Sequence, residues 1–187
     1  VREVVSVDER ERTVLAAVSG IEPGQDPYFI HYIRIALDTG AITRLTEGNG
    51  THEIFTHLGG AAYLAKWSRV DQPPVHELRH WADGKLIATL PSADTSGLRE
   101  AGWQAPEPFV AKDRDGKFDI YGVIFRPLNF DPKKKYPVVE NIYAGPHDSF
   151  VPKSWNVWFG HRSEMAESGF IVVQIDGLGT NNRGREF

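Results

Sequence analysis

The pentapeptide HELRH, His76-Glu77-Leu78-Arg79-His80, admits two incompatible readings, and the fold turns on which one holds. In a helix the two histidines stand one turn apart on one face. The segment is then the zinc pattern H-E-x-x-H, with Glu77 as base and Glu100, 20 residues past the second histidine, as third ligand (100 − 80 = 20). In a strand the same histidines still share a face, but they lie about 13 Å apart at about 3.3 Å per residue and cannot hold one ion. The flanks favour the strand. Pro73-Pro74 before the segment and Asp83-Gly84 after it leave room for barely two helical turns.

The surroundings repeat. His31-Tyr32-Ile33-Arg34 falls on His76-Glu77-Leu78-Arg79, Asp26 on Asp71, Asp38 on Asp83, Ile42 on Ile87 and Leu45 on Leu90, an offset of 76 − 31 = 45 throughout. HYIRI is β-branched and aromatic, so HELRH inherits a strand assignment. The other runs before residue 105 (TVLAAVSG, AITRL, AAYLAKWS, KLIATL) are also strand-length, with Asp38-Thr39-Gly40 and Asp83-Gly84 as hairpin connections. A strand repeat of about 40–50 residues is the signature of β-propeller blades. A blade cannot bury both of its faces alone, so two blades imply neighbours beyond these 187 residues.

After Gln104 the pattern changes. APEPFVAK and DGKFDIYGVIFRP read as a hairpin turning at Asp115-Gly116, and residues 131–135 (DPKKK) as a solvated loop. YPVVENIY (136–143) reads as a strand, and SEMAESGF as a short helix stopped by Gly169. FIVVQIDG is a continuous apolar run, the mark of a strand buried on both faces. Strands joined by a helix and apolar on both sides belong to an α/β sheet.

Composition narrows the classes of function. Apolar residues make up 41% and charged residues 25% of the chain, as in a soluble globular protein. Net charge is 21 − 25 = −4 with no basic block, which argues against nucleic acid. No apolar run approaches the roughly 18 residues of a membrane span. VREVVSVDERER lacks the parts of a signal peptide. The absence of cysteine removes disulfides, thiolate catalysis and Cys-zinc sites. The compartment stays open between cytoplasm and periplasm or exterior.

Several motifs have plainer readings. Gly177-Leu178-Gly179 begins like a dinucleotide fingerprint, but Asn182 stands at the third glycine position, so the segment reads as a loop leaving a strand. Asn49-Gly50-Thr51 fits a glycosylation site and reads more simply as a turn. His52, His57, His147 and His161 are isolated and read as surface or packing residues. Tyr143 stands where the strand 136–143 meets the turn of Ala144, Gly145 and Pro146. From its residue type alone it is either a half-buried packing residue or a hydroxyl held out toward substrate.

Taken in order, these stretches resemble the prolyl oligopeptidase family of serine peptidases, nearest its dipeptidyl peptidase IV branch. The residues that carry the likeness are IEPGQDPYFIHYIRI (21–35), LTEGNGTHEIF (45–55), WSRVDQPPVHEL (67–78), DIYGVIFRPLNFDPKKKYPVVENIYAGP (119–146) and GFIVVQIDGLGTNNRG (169–184). The resemblance implies a mixed fold, with 1–105 as the last two blades of a β-propeller and 106–187 as the start of an α/β-hydrolase domain. It implies a serine exopeptidase that releases dipeptides from the amino termini of peptides and needs no metal or cofactor. A homodimer is left open. Tyr143 becomes one of two oxyanion donors, the other being the backbone N–H after the catalytic serine. The chemistry fits, because a phenol ordinarily keeps its proton at neutral pH and donates a strong hydrogen bond to an oxyanion.

Two departures limit that picture. None of the nine serines has glycine at both −2 and +2, so the G-x-S-x-G elbow is absent, and in α/β-hydrolases the serine, acid and histidine follow later in the chain. The blades whose glutamates grip the substrate's free amino terminus would precede it. The 187 residues alone are therefore expected to be inactive. Asp176, Gly177, Gly179, Arg183 and Gly184 are expected to shape the active-site rim, with Asp176 binding backbone N–H groups or Arg183. Two alternatives remain, a non-catalytic binding scaffold and a zinc metallopeptidase using HELRH. A G-x-S-x-G within about 100 residues beyond Phe187 would separate the peptidase from the scaffold.

Overall fold

Period-two alternation and glycine turns fold the first half into two antiparallel meanders. The computed structural model describes residues 1–58, 60–143 and 145–187, at 56–58 by backbone alone. The first sheet runs β1 (Glu3–Asp8), β2 (Thr13–Ser19), β3 (Ile30–Ala36) and β4 (Ile42–Arg44) in sequential order. The second repeats the plan with β5 (Thr51–Leu58), β6 (Ala62–Arg69), β7 (Gln72–His80) and β8 (Leu86–Thr89). Both belong to one unit, Val1–Arg69 with Pro73–Ala93.

β2 is buried on both sides. Leu15 packs with Leu45, Tyr63 and Ala65, while Ala16 and Val18, one residue out of phase, pack with Ile33 on the opposite face. Arg34 pairs with Leu15 across β2 and β3 and shares its face. Its guanidinium donates to the carbonyls of Trp81 and Ala82, both at 2.6 Å, and so ties one sheet to the turn of the next.

The repeat is real, but its spacing is not uniform. In the turns Gly40 N–H donates to Ala36 O and Gly84 N–H to His80 O, an offset of 84 − 40 = 44. Past the turns Leu45 N–H donates to Tyr32 O and Leu90 N–H to His76 O, offsets of 90 − 45 = 45 just past β8 and 76 − 32 = 44 in β7. A bulge accounts for the difference, because the pairing shifts between Leu78↔Ala88 and Arg79↔Leu86 and leaves Ile87 as an extra residue in β8. The constant offset of 45 is thus corrected for β7, where Glu77 matches Ile33 and both are buried.

The second unit is Val70–Gln72 with Asp94–Phe187. After the short helix α1 (Ser96–Glu100), β9 (Glu107–Lys112) and β10 (Asp119–Phe125) form a hairpin. Its turn has Gly116 at φ 70°, and Asp113 Oδ1 accepts from the N–H groups of Lys117 and Phe118. β11 (Val138–Glu140), α2 (His161–Glu167) and β12 (Ile171–Ile175) complete the mixed sheet, in the order β11-β12-β10-β9. α2 ends in a Schellman motif: Gly169 at φ 94° donates to Ala166 O, and Phe170 N–H donates to Met165 O. Val123, Phe125, Val151, Ala166 and Val172 form the core.

Two strand expectations are corrected. The strand read over 136–143 is regular only at Val138–Glu140. β12 is sealed on one face only. Val172, Gln174 and Asp176 (just beyond the strand) are 0, 2 and 1% exposed, while Ile171, Val173 and Ile175 are half-buried. Among the described residues α2 and the segment around Val151 pack on the Val172 face. The molecule is thus mostly sheet with few helices, none long and apolar enough to cross a membrane among the described residues.

Candidate active site

β11 and β12 run parallel, in register from Val138↔Ile171 to Glu140↔Val173, and Asn141 N–H still donates to Val173 O at 2.8 Å. Parallel strands bring their carboxyl ends to one edge, which is where α/β sheets place ligands. At that edge lies a depression of about 270 Å³, lined among others by Ile142, Tyr143, Pro146, Ile175, Leu178 and Thr180.

Tyr143 stands three residues past the end of β11 and is 41% exposed. Among the described residues its hydroxyl has no hydrogen-bond partner. Its ring lies against Phe150, with centroids 3.6 Å apart and planes inclined by 36°. Gly145 approaches the same ring so closely that an added Cβ would sit 3.2 Å from Tyr143 Cε1. Ala144, the other turn residue singled out in the sequence, lies outside the described residues.

The strand behind this loop holds it by polar contacts. Asp176 accepts from Phe150 N–H at 2.7 Å and from Val151 N–H at 3.2 Å. Gln174 donates from Nε2 to Phe150 O at 3.0 Å. Asn182, at φ 72°, donates to Asp148 Oδ1 at 2.8 Å, and Asn181 to His147 O at 3.2 Å, which joins the two rim loops. Arg183 donates to Asp119 O at 3.1 Å and stacks on Phe187. The expectation that Asp176 would bind backbone N–H groups thus has specific partners. Gly177–Asn182 is a loop of turns with no helix after it among the described residues.

The remaining sequence candidates are dispersed. HELRH lies in strand β7, with His76 half-buried and His80 exposed. Glu77, which a zinc peptidase would need as base, pairs with Arg79 at 2.8 Å. Glu100 ends α1. Among the described residues no three metal-ligating side chains gather. His52 is buried, its ring nitrogens 3.1 and 2.8 Å from the carbonyls of Ile30 and Glu47, and His31 lies beside it with ring centroids 4.6 Å apart. Burial pushes both imidazoles below their ordinary range, His31 to about 4. His161 Nε2 lies 3.3 Å from Asn141 Oδ1, and the side chain of His57 lies outside the described residues.

In sequence and in fold the chain is similar to proteins named as dipeptidyl peptidases. No family model matches it. It is 48% identical over 188 residues to a "Probable dipeptidyl-aminopeptidase B" of Ajellomyces dermatitidis, an alignment covering 96% of this chain and 20% of that one. It is 27% identical over 192 residues to human dipeptidyl peptidase 8, covering 98% and 21%. The crystal structure of Porphyromonas gingivalis dipeptidyl peptidase 4 superposes on 98% of this chain and 25% of its own, with a TM-score of 0.70 at 26% identity. The chain belongs to the prolyl oligopeptidase family, in its dipeptidyl peptidase branch. It spans about a fifth of the length of the curated dipeptidyl peptidases it matches.

Sequence reading of this family member missed Phe150 and Gln174. Gln174 did leave a signal, as the one polar side chain inside the apolar run FIVVQI, on the same face as Val172 and Asp176. Phe150 left none, because its meeting with Tyr143 depends on the course of a seven-residue loop (150 − 143 = 7).

Proposed function

We propose that this chain contributes two propeller blades and the opening of an α/β-hydrolase domain to a serine dipeptidyl peptidase, in which Tyr143 donates to the oxyanion. Residues 1–105 are the blades and 106–187 the hydrolase segment. In support, the sheets β1–β4 and β5–β8 are sequential meanders related by one plan, and α2 connects the parallel strands β11 and β12. The substrate is a peptide with a free amino terminus. Attack by a serine elsewhere in the whole peptidase drives the scissile carbonyl to a tetrahedral oxyanion, and Tyr143 meets that charge with its O–H.

One observation carries the assignment. Tyr143, a half-exposed residue, has a hydroxyl unpartnered among the described residues and stands at the carboxyl ends of parallel strands beside an open depression. A packing tyrosine commonly finishes its hydrogen bond within the fold, as Tyr63 does on Leu45 O. Tyr143→Phe in the whole peptidase removes one oxygen and leaves the ring on Phe150. Expected is a fall in kcat of about 10²–10³ with KM changed little, the mark of a bond made chiefly in the transition state. A kcat within about threefold of wild type, roughly 0.6 kcal/mol, refutes the assignment.

A further inference from the structure

We propose that Gln174 and Asp176 form a clamp on Phe150 that positions the Tyr143 ring, so that these two buried side chains of β12 are positioning residues for the oxyanion donor. The inference rests on the reading of Tyr143 given above and adds to it the parts that hold the ring still.

The clamp follows from strand geometry. Residues 172, 174 and 176 point to one face, and all three are almost completely buried. Val172 spends its place on the apolar core, whereas Gln174 and Asp176 both spend theirs on Phe150. Gln174 takes the carbonyl of Phe150 and Asp176 takes its N–H, so the two peptide groups flanking one Cα are both held. With both fixed, the backbone torsions of Phe150 have little freedom, and the direction of its side chain is set. That side chain is the one stacked on Tyr143.

Burial makes this choice of residues costly unless it serves a purpose. A carboxylate and an amide inside an apolar strand must recover their lost hydration by hydrogen bonds. Asp176 recovers it from two backbone N–H groups. Gln174 Oε1 has no partner among the described residues, so its one described bond is the one to Phe150. Tyr143 needs such support, because it lies outside any strand and its hydroxyl is anchored to no described residue. Its ring is located by Phe150 and by the close approach of Gly145. An oxyanion donor has to be held within about 0.5 Å of its working position, which a free loop side chain does not achieve.

Anchoring the loop for stability alone would use the same bonds, and a double-mutant cycle separates the two roles. In the whole peptidase, Gln174→Leu, Asp176→Asn and Phe150→Leu are made singly and again on Tyr143→Phe, and steady-state kinetics are measured with a chromogenic dipeptide substrate. If the clamp acts through Tyr143, each single change lowers kcat about tenfold with KM within about twofold, since misplacement of a catalytic group by a fraction of an ångström is costly. On Tyr143→Phe the same changes lower kcat by less than about twofold, because the donor they position is already gone. Penalties that multiply unchanged on Tyr143→Phe overturn the clamp while leaving Tyr143 as donor. So does a Gln174→Leu enzyme with wild-type kcat. If Tyr143→Phe alone leaves kcat unchanged, the oxyanion reading falls first and the clamp with it. Should Asp176→Asn fail to fold, Gln174→Leu and Phe150→Leu decide, as both keep the carboxylate on the Phe150 and Val151 N–H groups.

Discussion

His31 makes the first unit sensitive to acid, by an amount that can be worked out. The imidazole is 2% exposed in β3, its Nε2 is 3.3 Å from Gln25 Oε1, and its Nδ1 is buried with no partner among the described residues. Burial, then the neighbouring His52, then Arg44 all oppose a charge there, and they hold the pKa at about 4 against an ordinary 6.5. Between those values the unfolded chain binds a proton that the folded chain refuses. Stability is therefore intact above pH 6.5 and is lost as the pH falls toward 4. The shift of 6.5 − 4 = 2.5 units, at about 1.36 kcal/mol each, puts the loss at about 3 kcal/mol. His31→Phe keeps a ring against His52 and removes the titration. Urea denaturation followed by tryptophan fluorescence at pH 7 and pH 4 measures the effect in both proteins. Wild type is expected to lose about 3 kcal/mol more than His31→Phe over that interval. Equal losses within about 0.5 kcal/mol would show that His31 takes its proton without unfolding, and would refute the reasoning.

Other substitutions test the packing. Gly40 and Gly84 occupy matching turns at φ 71° and 73°, but a Cβ at Gly40 meets nothing within 4 Å, whereas at Gly84 it would overlap the Arg44 carbonyl and sit 3.2 Å from Leu45 Cα. Gly40→Ala should cost about 1 kcal/mol in urea denaturation from the left-handed backbone alone, and Gly84→Ala clearly more; equal costs would mean that the two sheets are not packed as described. Arg79 is 3% exposed and pairs with the buried Glu77, so Arg79→Met strands a carboxylate and should cost about 3–5 kcal/mol, with part recovered in Arg79→Met/Glu77→Leu. A loss below about 1 kcal/mol in the single variant would show that water reaches Glu77.

Local signals carried most of the fold. Gly169 after SEMAES and Asp115-Gly116 between two apolar runs marked a helix end and a hairpin, because each is decided by the backbone needs of a few adjacent residues. The repeat was legible, but aligning Arg34 with Arg79 put β7 one residue out of phase. Residue identity outweighed the pleat there, although one residue is enough to turn a side chain to the opposite face. Tyr143 was singled out through the turn after it and the likeness around it, and its role stands as the proposal above. The Phe150 contacts were not, because they join positions 24 and 26 residues apart whose meeting depends on the whole loop 141–159.

The parallel pairing of β11 with β12 also orders events in time. In the first unit β2 meets β3 through pairs as near as Ser19↔Ile30, a separation of 30 − 19 = 11 residues. β12 must instead find Val138 after 171 − 138 = 33 residues and Phe125 after 172 − 125 = 47. Closing a span of 47 rather than 11 residues costs about 1.3 kcal/mol more chain entropy before any contact repays it. As the polypeptide is synthesised, the meanders can therefore zip while β9 and β10 still present an unpaired edge. That edge stays open to other strands until Ile175 has left the ribosome, which makes the interval between Phe125 and Ile175 the time at which a chaperone has most to protect.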